Sequence, residues 1–178
     1  MRRLFVLATL VLTFASATTY RELSLDQLIS RAELGFFGRV SEVAVEARGG
    51  EPYTQVTFNV LRALTGDLNT AAEGDTGNDT VTLAFYGGTL PNGRSLSVEG
   101  MPEFSRGDEV LMLAYDAPYY SPIVGFSQGL WRATPNGFRD LEGRLLSLND
   151  AGRLLRDAEG SEQTAVLDEL EARLGALQ

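Results

Sequence analysis

The chain has 178 residues, a formal net charge of −9, and neither cysteine nor histidine. All 15 basic residues are arginine, so disulfides, thiol nucleophiles, haem and iron–sulfur ligation, the usual zinc sites and Schiff-base lysines are excluded. The acidity argues against a nucleic-acid or anionic-lipid partner, since both require attraction to phosphate.

The chain opens with Arg2-Arg3, an apolar run from Leu4 to Ala15, and the small-residue triplet Ala15-Ser16-Ala17. These are the three parts of a secretory signal peptide, spanning residues 1–17. The apolar run is shorter than the roughly 20 residues of a membrane span. Cleavage after Ala17 leaves Thr18 to Gln178 as a secreted or periplasmic product with no further membrane insertion. Its length fits a single domain, 18–178, stabilised by its core rather than by disulfides. Within it we expect a helix plus β-barrel over 24–140 and C-terminal helices over 149–177.

Ser24-Leu25-Asp26-Gln27 has the capping-box pattern ahead of Leu28, Ile29 and Ala32, so a short helix is predicted over about 25–33. Residues 35–46 begin apolar and then alternate, which predicts a strand bent at Gly38. Gly49-Gly50-Glu51-Pro52 is a turn. Tyr53 to Leu64 is the clearest strand, with Val56, Phe58 and Val60 on one face and Gln55, Thr57 and Asn59 on the other. Asp67 to Asn78 reads as an exposed loop. Val81, Leu83 and Phe85 mark the next strand, ended by Gly87-Gly88. Leu96 and Val98 predict a short strand before Gly100-Met101-Pro102. Val110 to Tyr115 is almost wholly apolar, as in a central strand buried on both faces. Ile123–Phe126 and Leu130–Thr134 read as two strands, Asn136-Gly137 as a hairpin turn, and Phe138 as the start of a last short strand. Asn149 then caps a helix carrying Leu154 and Leu155, and Ser161 caps another. In that second helix Leu167, Leu170, Leu174 and Leu177 share one face, which packs against the barrel.

Three motifs match catalytic or metal patterns without their context. Gly125-Phe126-Ser127-Gln128-Gly129 has the spacing of a nucleophile elbow. An elbow needs a strand-to-helix turn and a base, and the chain has neither histidine nor lysine. Asp75-Thr76-Gly77 matches the aspartic-protease triplet, but inside a polar loop rather than after an apolar strand. Asp67, Asn69, Glu73, Asp75, Asn78 and Asp79 offer oxygens to calcium, although their spacing fits no EF-hand. We read this stretch as a solvated acidic loop, with a calcium site as the alternative. Trp131, Tyr115, Tyr119 and Tyr120 fall close together late in the chain, as aromatics of a core, a rim or a stacking surface.

Phe36-Phe37-Gly38-Arg39-Val40, Tyr53 to Val60, Leu64-Thr65-Gly66, Gly87-Gly88, Gly100 to Phe104, Gly107 to Leu113 and Gly125 to Gly129 together resemble a group of uncharacterised secreted bacterial domains. More distantly, the opening half is similar to the netrin-like domains of metalloproteinase inhibitors, which are OB-type barrels. The resemblance covers about residues 24–135. It implies an OB-like barrel and supplies no catalytic residues. The N-terminal cysteine with which those inhibitors bind zinc has no counterpart here.

The sequence therefore predicts a mainly β fold: an OB-like small β-barrel of about six strands with one N-terminal and two C-terminal helices. An immunoglobulin-like sandwich is the alternative. The expected function is a secreted, non-catalytic binding or envelope-associated module for a protein or glycan, with no catalytic, cofactor-binding or metal residues. The alternative is a carboxylate-based hydrolase of envelope glycans, which requires a cleft holding two carboxyls about 5–9.5 Å apart.

Overall fold

The structure, a computed structural model, describes residues 21–65 and 80–177. The expected signal peptide, the acidic loop from Asp67 to Asp79 and the Asp75-Thr76-Gly77 triplet lie outside the described residues.

Helix α1 (Leu25–Arg31) opens on a complete capping box. The Gln27 amide donates to Ser24 Oγ at 3.2 Å, and the Ser24 amide donates to Gln27 Oε1 at 3.0 Å. Two N–H groups that the first helical turn cannot satisfy are thereby bonded. Leu28 and Ile29 are the buried residues of this helix.

Two 15-residue strands follow, β1 (Leu34–Arg48) and β2 (Glu51–Thr65). They pair as a long antiparallel hairpin closed at Gly49-Gly50, with register irregularities at Gly35/Phe36, Phe37/Gly38 and Val40/Glu42. Gly38 sits at one of these bulges for a steric reason, because a Cβ there would stand 2.9 Å from the carbonyl oxygen of Asn59. Then come β3 (Thr80–Tyr86), the two-residue strands β4 (Gly88–Thr89) and β5 (Ser95–Leu96), and β6 (Glu109–Ala114). The chain continues through β7 (Leu130–Thr134), β8 (Gly137–Arg139), β9 (Leu145–Leu148) and β10 (Leu154–Asp157) to helix α2 (Gln163–Gly175).

Eight strands form one antiparallel sheet in the order β10-β9-β8-β7-β6-β1-β2-β3; β4 and β5 form a separate pair. Strand β6 lies inside the sheet, as its apolar run predicts, and both of its faces are buried. Leu111 and Leu113 join a core with Leu28, Ile29, Trp131, Phe138, Leu146, Val166, Leu170 and Leu174, the core that the two helices share with the sheet. Val110, Met112 and Ala114 face the other way, into a core with Phe36, Val40, Val56, Phe58, Val81, Leu83, Phe85 and Leu130. Edge-to-face contact of Phe36 and Phe58, with centroids 5.4 Å apart, adds geometry to a burial of about 1.5–3 kcal/mol per large side chain.

Four expectations are corrected. The sheet is not closed into a barrel, since β3 and β10 end it and do not pair. Other segments meet these edges instead. The Tyr86 amide donates to the Tyr120 carbonyl at 2.8 Å beside β3, and Arg156 of β10 donates from Nη1 to the Leu23 carbonyl at 3.0 Å.

The expected helix after Asn149 is the β9–β10 hairpin. Asn149 Oδ1 accepts from the amides of Ala151 and Arg153, and Gly152 takes a φ of 70°. The Asn149 side chain thus closes a turn instead of capping a helix. One C-terminal helix is present, α2; its N-cap is Glu162, not Ser161. Ser161 Oγ instead accepts from the Leu148 amide at 2.8 Å and ties the chain to β9. Val166 completes the buried face of α2, and Leu177 is exposed. Finally, residues 123–126 form a turn joined to the sheet by the single bridge Ala114↔Ile123. Gly125 and Phe126 both have positive φ there, which a strand cannot accommodate.

Candidate functional site

Strand β1 meets β6 only from Leu34 to Arg39, yet runs on to Arg48 beside β2. The outer half of the β1–β2 hairpin therefore projects past the central strands as an arm. On its inner face Val43 stands opposite Val56 and Val45 opposite Thr54.

The chain leaving β3 folds across this inner face. Gly87 and Gly88 make the fold possible, with φ of 112° and 127°, a region open to glycine and strained for other residues. Space demands glycine as well: a Cβ on Gly88 would lie 2.7 Å from Thr54 Oγ1 and 2.9 Å from a Val45 methyl. Thr54 Oγ1 donates to the Gly87 carbonyl at 2.8 Å, and the Gly87 amide donates to the Pro52 carbonyl at 2.9 Å. The β4–β5 lobe is thereby fastened to the arm. The segment 97–104 returns along the other side. Phe104 anchors it, packing edge-to-face on Phe58 at 5.7 Å and tilted on Phe85 at 4.9 Å. Arg132 holds its end by donating from Nη2 to the Glu103 carbonyl.

Between arm, lobe and return segment lies a cleft of about 380 Å³. Val43, Val45, Val98, Met101 and Phe104 supply apolar surface, Thr54, Tyr86, Thr89, Ser95, Ser97 and the Gly87-Gly88 backbone supply polar groups, and Glu103 is the one carboxylate in the lining. Val43 is 38% exposed, a large apolar side chain held at the mouth. A concave surface that sets apolar side chains beside converging polar groups has the general features of a ligand site.

A second cleft of about 300 Å³ is different in kind, lined by Glu22, Asp26, Arg144, Arg153 and Arg156 among others. Its charges are already matched. Asp140, buried behind it, accepts from Arg144 Nε at 2.9 Å and from the Arg144 amide at 2.7 Å. Glu22 Oε1 accepts from Arg144 at 2.6 Å and from Arg156 at 3.1 Å. The hydrogen bond from Arg144 holds the Glu22 carboxyl below its ordinary value, and the charges of Arg144 and Arg156 add to it. Burial lowers the pKa of Arg156. These groups fasten residues 21–23 to β10, and Gln128 fastens them from the other side. Its Oε1 accepts from the Leu23 amide at 2.7 Å, and its Nε2 donates to the Arg21 carbonyl at 3.2 Å. The Gly125 to Gly129 motif therefore works as a clamp on the chain's own backbone.

The aromatics grouped by the sequence are dispersed. Trp131 is buried in the helix-side core; Tyr115 packs against that core and meets exposed Tyr119 edge-to-face at 4.9 Å. Exposed Tyr120 instead extends a row with Tyr86, 4.8 Å away, and Tyr53, 5.1 Å beyond that. Partial desolvation in this row pushes the Tyr86 phenol up, and Glu51 adds to the shift.

The cleft residues Val43, Val45, Val98 and Met101 were not singled out by sequence reasoning. Two signals pointed to them. Val43 and Val45 keep alternating after the strand has turned polar, and Gly87-Gly88 and Gly100 to Phe104 are both parts of the motif plan. No group of three or more histidine, cysteine or carboxylate side chains among the described residues is placed to hold a metal ion. No described helix is long and apolar enough to cross a membrane. In comparison with known proteins, no family model matches the chain, and no curated protein matches its sequence.

Proposed function

We propose that this protein is a non-catalytic binding module, exported by its N-terminal segment, that takes its ligand in the cleft beneath the β1–β2 arm. The observation that carries the reading is the lining of that cleft: apolar side chains, hydroxyls and main-chain groups with a single carboxylate, Glu103. A glycan hydrolase needs two carboxyls across one cleft, one kept protonated by a raised pKa. In the second cleft the carboxyls are engaged by arginine, and the shift of Glu22 runs downward. This supports the binding reading over the hydrolase. The OB-like kinship rests on the sequence motifs alone, because an open sheet lacks the closure of that barrel.

The test uses the neutral apolar dye Nile red and purified peptidoglycan. The mature chain is expected to bind the dye, to lose it on Val98→Trp, which fills the cleft, and to release no reducing sugar from the glycan. Release of sugar, or dye binding unmoved by Val98→Trp, overturns the reading.

A further inference from the structure

We propose that the ligand of this cleft is an extended, basic peptide segment of another protein, added as a strand to the open edge of β1; this rests on the binding reading above. From Glu42 to Arg48 the main chain of β1 pairs with β2 and, among the described residues, with no strand on its other side. Val40 is the last residue served there, exchanging hydrogen bonds with Asp108 and Gly107 at 2.8 Å each. Six of the seven residues Glu42–Arg48 are exposed, and Val45 is half-buried. After the irregularity at Val40/Glu42 this edge runs on with no proline and, among the described residues, no strand over it, so its charges Glu42, Glu46 and Arg48 decide what can pair there. An extended chain laid about 4.8 Å away can continue the ladder.

Side-chain alternation then determines what fits. On the inner face, beside Val43 and Val45, every second side chain of the added strand enters the apolar cleft. On the outer face it stands beside Glu42 and Glu46, where opposite charge is favoured. Glu46 is shared with Arg48 and Gln55, but Glu42, Glu99 and Glu103 have no ion-pair partner among the described residues. A strand alternating apolar and basic residues satisfies both faces. The protein's own net charge of −9 disfavours a second copy as the occupant.

The test titrates the full mature chain, isotopically labelled for NMR, with a capped seven-residue peptide alternating arginine and valine. Amide shifts are expected along Glu42–Arg48 and around Val98–Met101. Methylating alternate peptide nitrogens, so that they cannot join the ladder, is expected to weaken binding about tenfold or more. A glutamate–valine counterpart is expected not to bind, and Glu42→Gln with Glu103→Gln is expected to weaken the arginine peptide several-fold. Equal binding of the methylated peptide overturns the strand-addition proposal. So does a dimer in light scattering that Val43→Ser dissolves, because the edge then pairs with its own copy. If Nile red fills the cleft and no peptide binds, this inference fails while the binding module stands. If neither binds, both fail.

Discussion

Two regions of this molecule treat their polar and apolar groups in opposite ways. Around β8 to β10, the buried and half-buried charges form a network: Asp140 is held by Arg144, and Glu22 bridges Arg144 and Arg156 over the helix-side core. On the β1–β2 arm, apolar Val43 faces the open mouth of the cleft and Glu42 stands without an ion-pair partner. The first region is organised for stability. The second leaves an apolar side chain at the mouth of a cleft and an unpaired carboxylate beside it. If the arm binds as proposed, substitutions in the two regions should separate, those on the arm in binding and those on the clamp in stability.

The largest effect is expected from Asp140→Ala. It leaves Arg144 and Arg156 without their buried partner, at a cost of about 3–5 kcal/mol, read as a lower midpoint in urea unfolding. Gly88→Val follows, at about 1–3 kcal/mol, since its Cβ meets Thr54 and Val45 while its φ is strained. It should also abolish dye binding, because it detaches the lobe that roofs the cleft. Ser24→Ala should cost about 1 kcal/mol through loss of the α1 cap and leave dye binding unchanged. The smallest stability effect is expected from Val43→Ser, within about 0.5 kcal/mol at this exposed position, with loss of binding despite a normal unfolding curve. A Val43→Ser chain that unfolds early and still binds would reverse the roles of the two regions.

Acid offers a further separation. Glu22 has a lowered pKa in the folded chain, so its contribution is complete above its ordinary value of 4.5. That contribution is lost as the pH falls through the lower folded value. The amide of Leu23 should lose hydrogen-exchange protection in that acid range, while the cleft amides at Val45 and Val98 keep their shifts. Glu22→Gln should remove this pH dependence.

The elements legible in the sequence were those set by local pattern. The capping box named α1, alternation named β2 and β3, and a doubly apolar run named β6, because each answer is contained in a few neighbouring residues. What escaped depended on distant partners. Asn149 has the same side chain whether it caps a helix or closes a hairpin, and only Leu145 to Leu148 on the other side of the turn decide. Ser161 likewise serves β9 rather than α2. Sheet closure was illegible because it depends on whether β3 and β10, far apart in sequence, meet in space. The cleft was half visible: Gly87-Gly88 and Gly100 to Phe104 stood out as motifs, but their approach to Val43 and Val45 exists only in three dimensions.

The most direct test of the central claim is protein-observed NMR of residues 18–178 against a library of neutral apolar fragments. The account expects hits whose amide and methyl shifts converge on Val43, Val45, Val98 and Met101 and vanish in Val98→Trp. Hits converging instead on Glu22, Arg144 and Arg156 would contradict it.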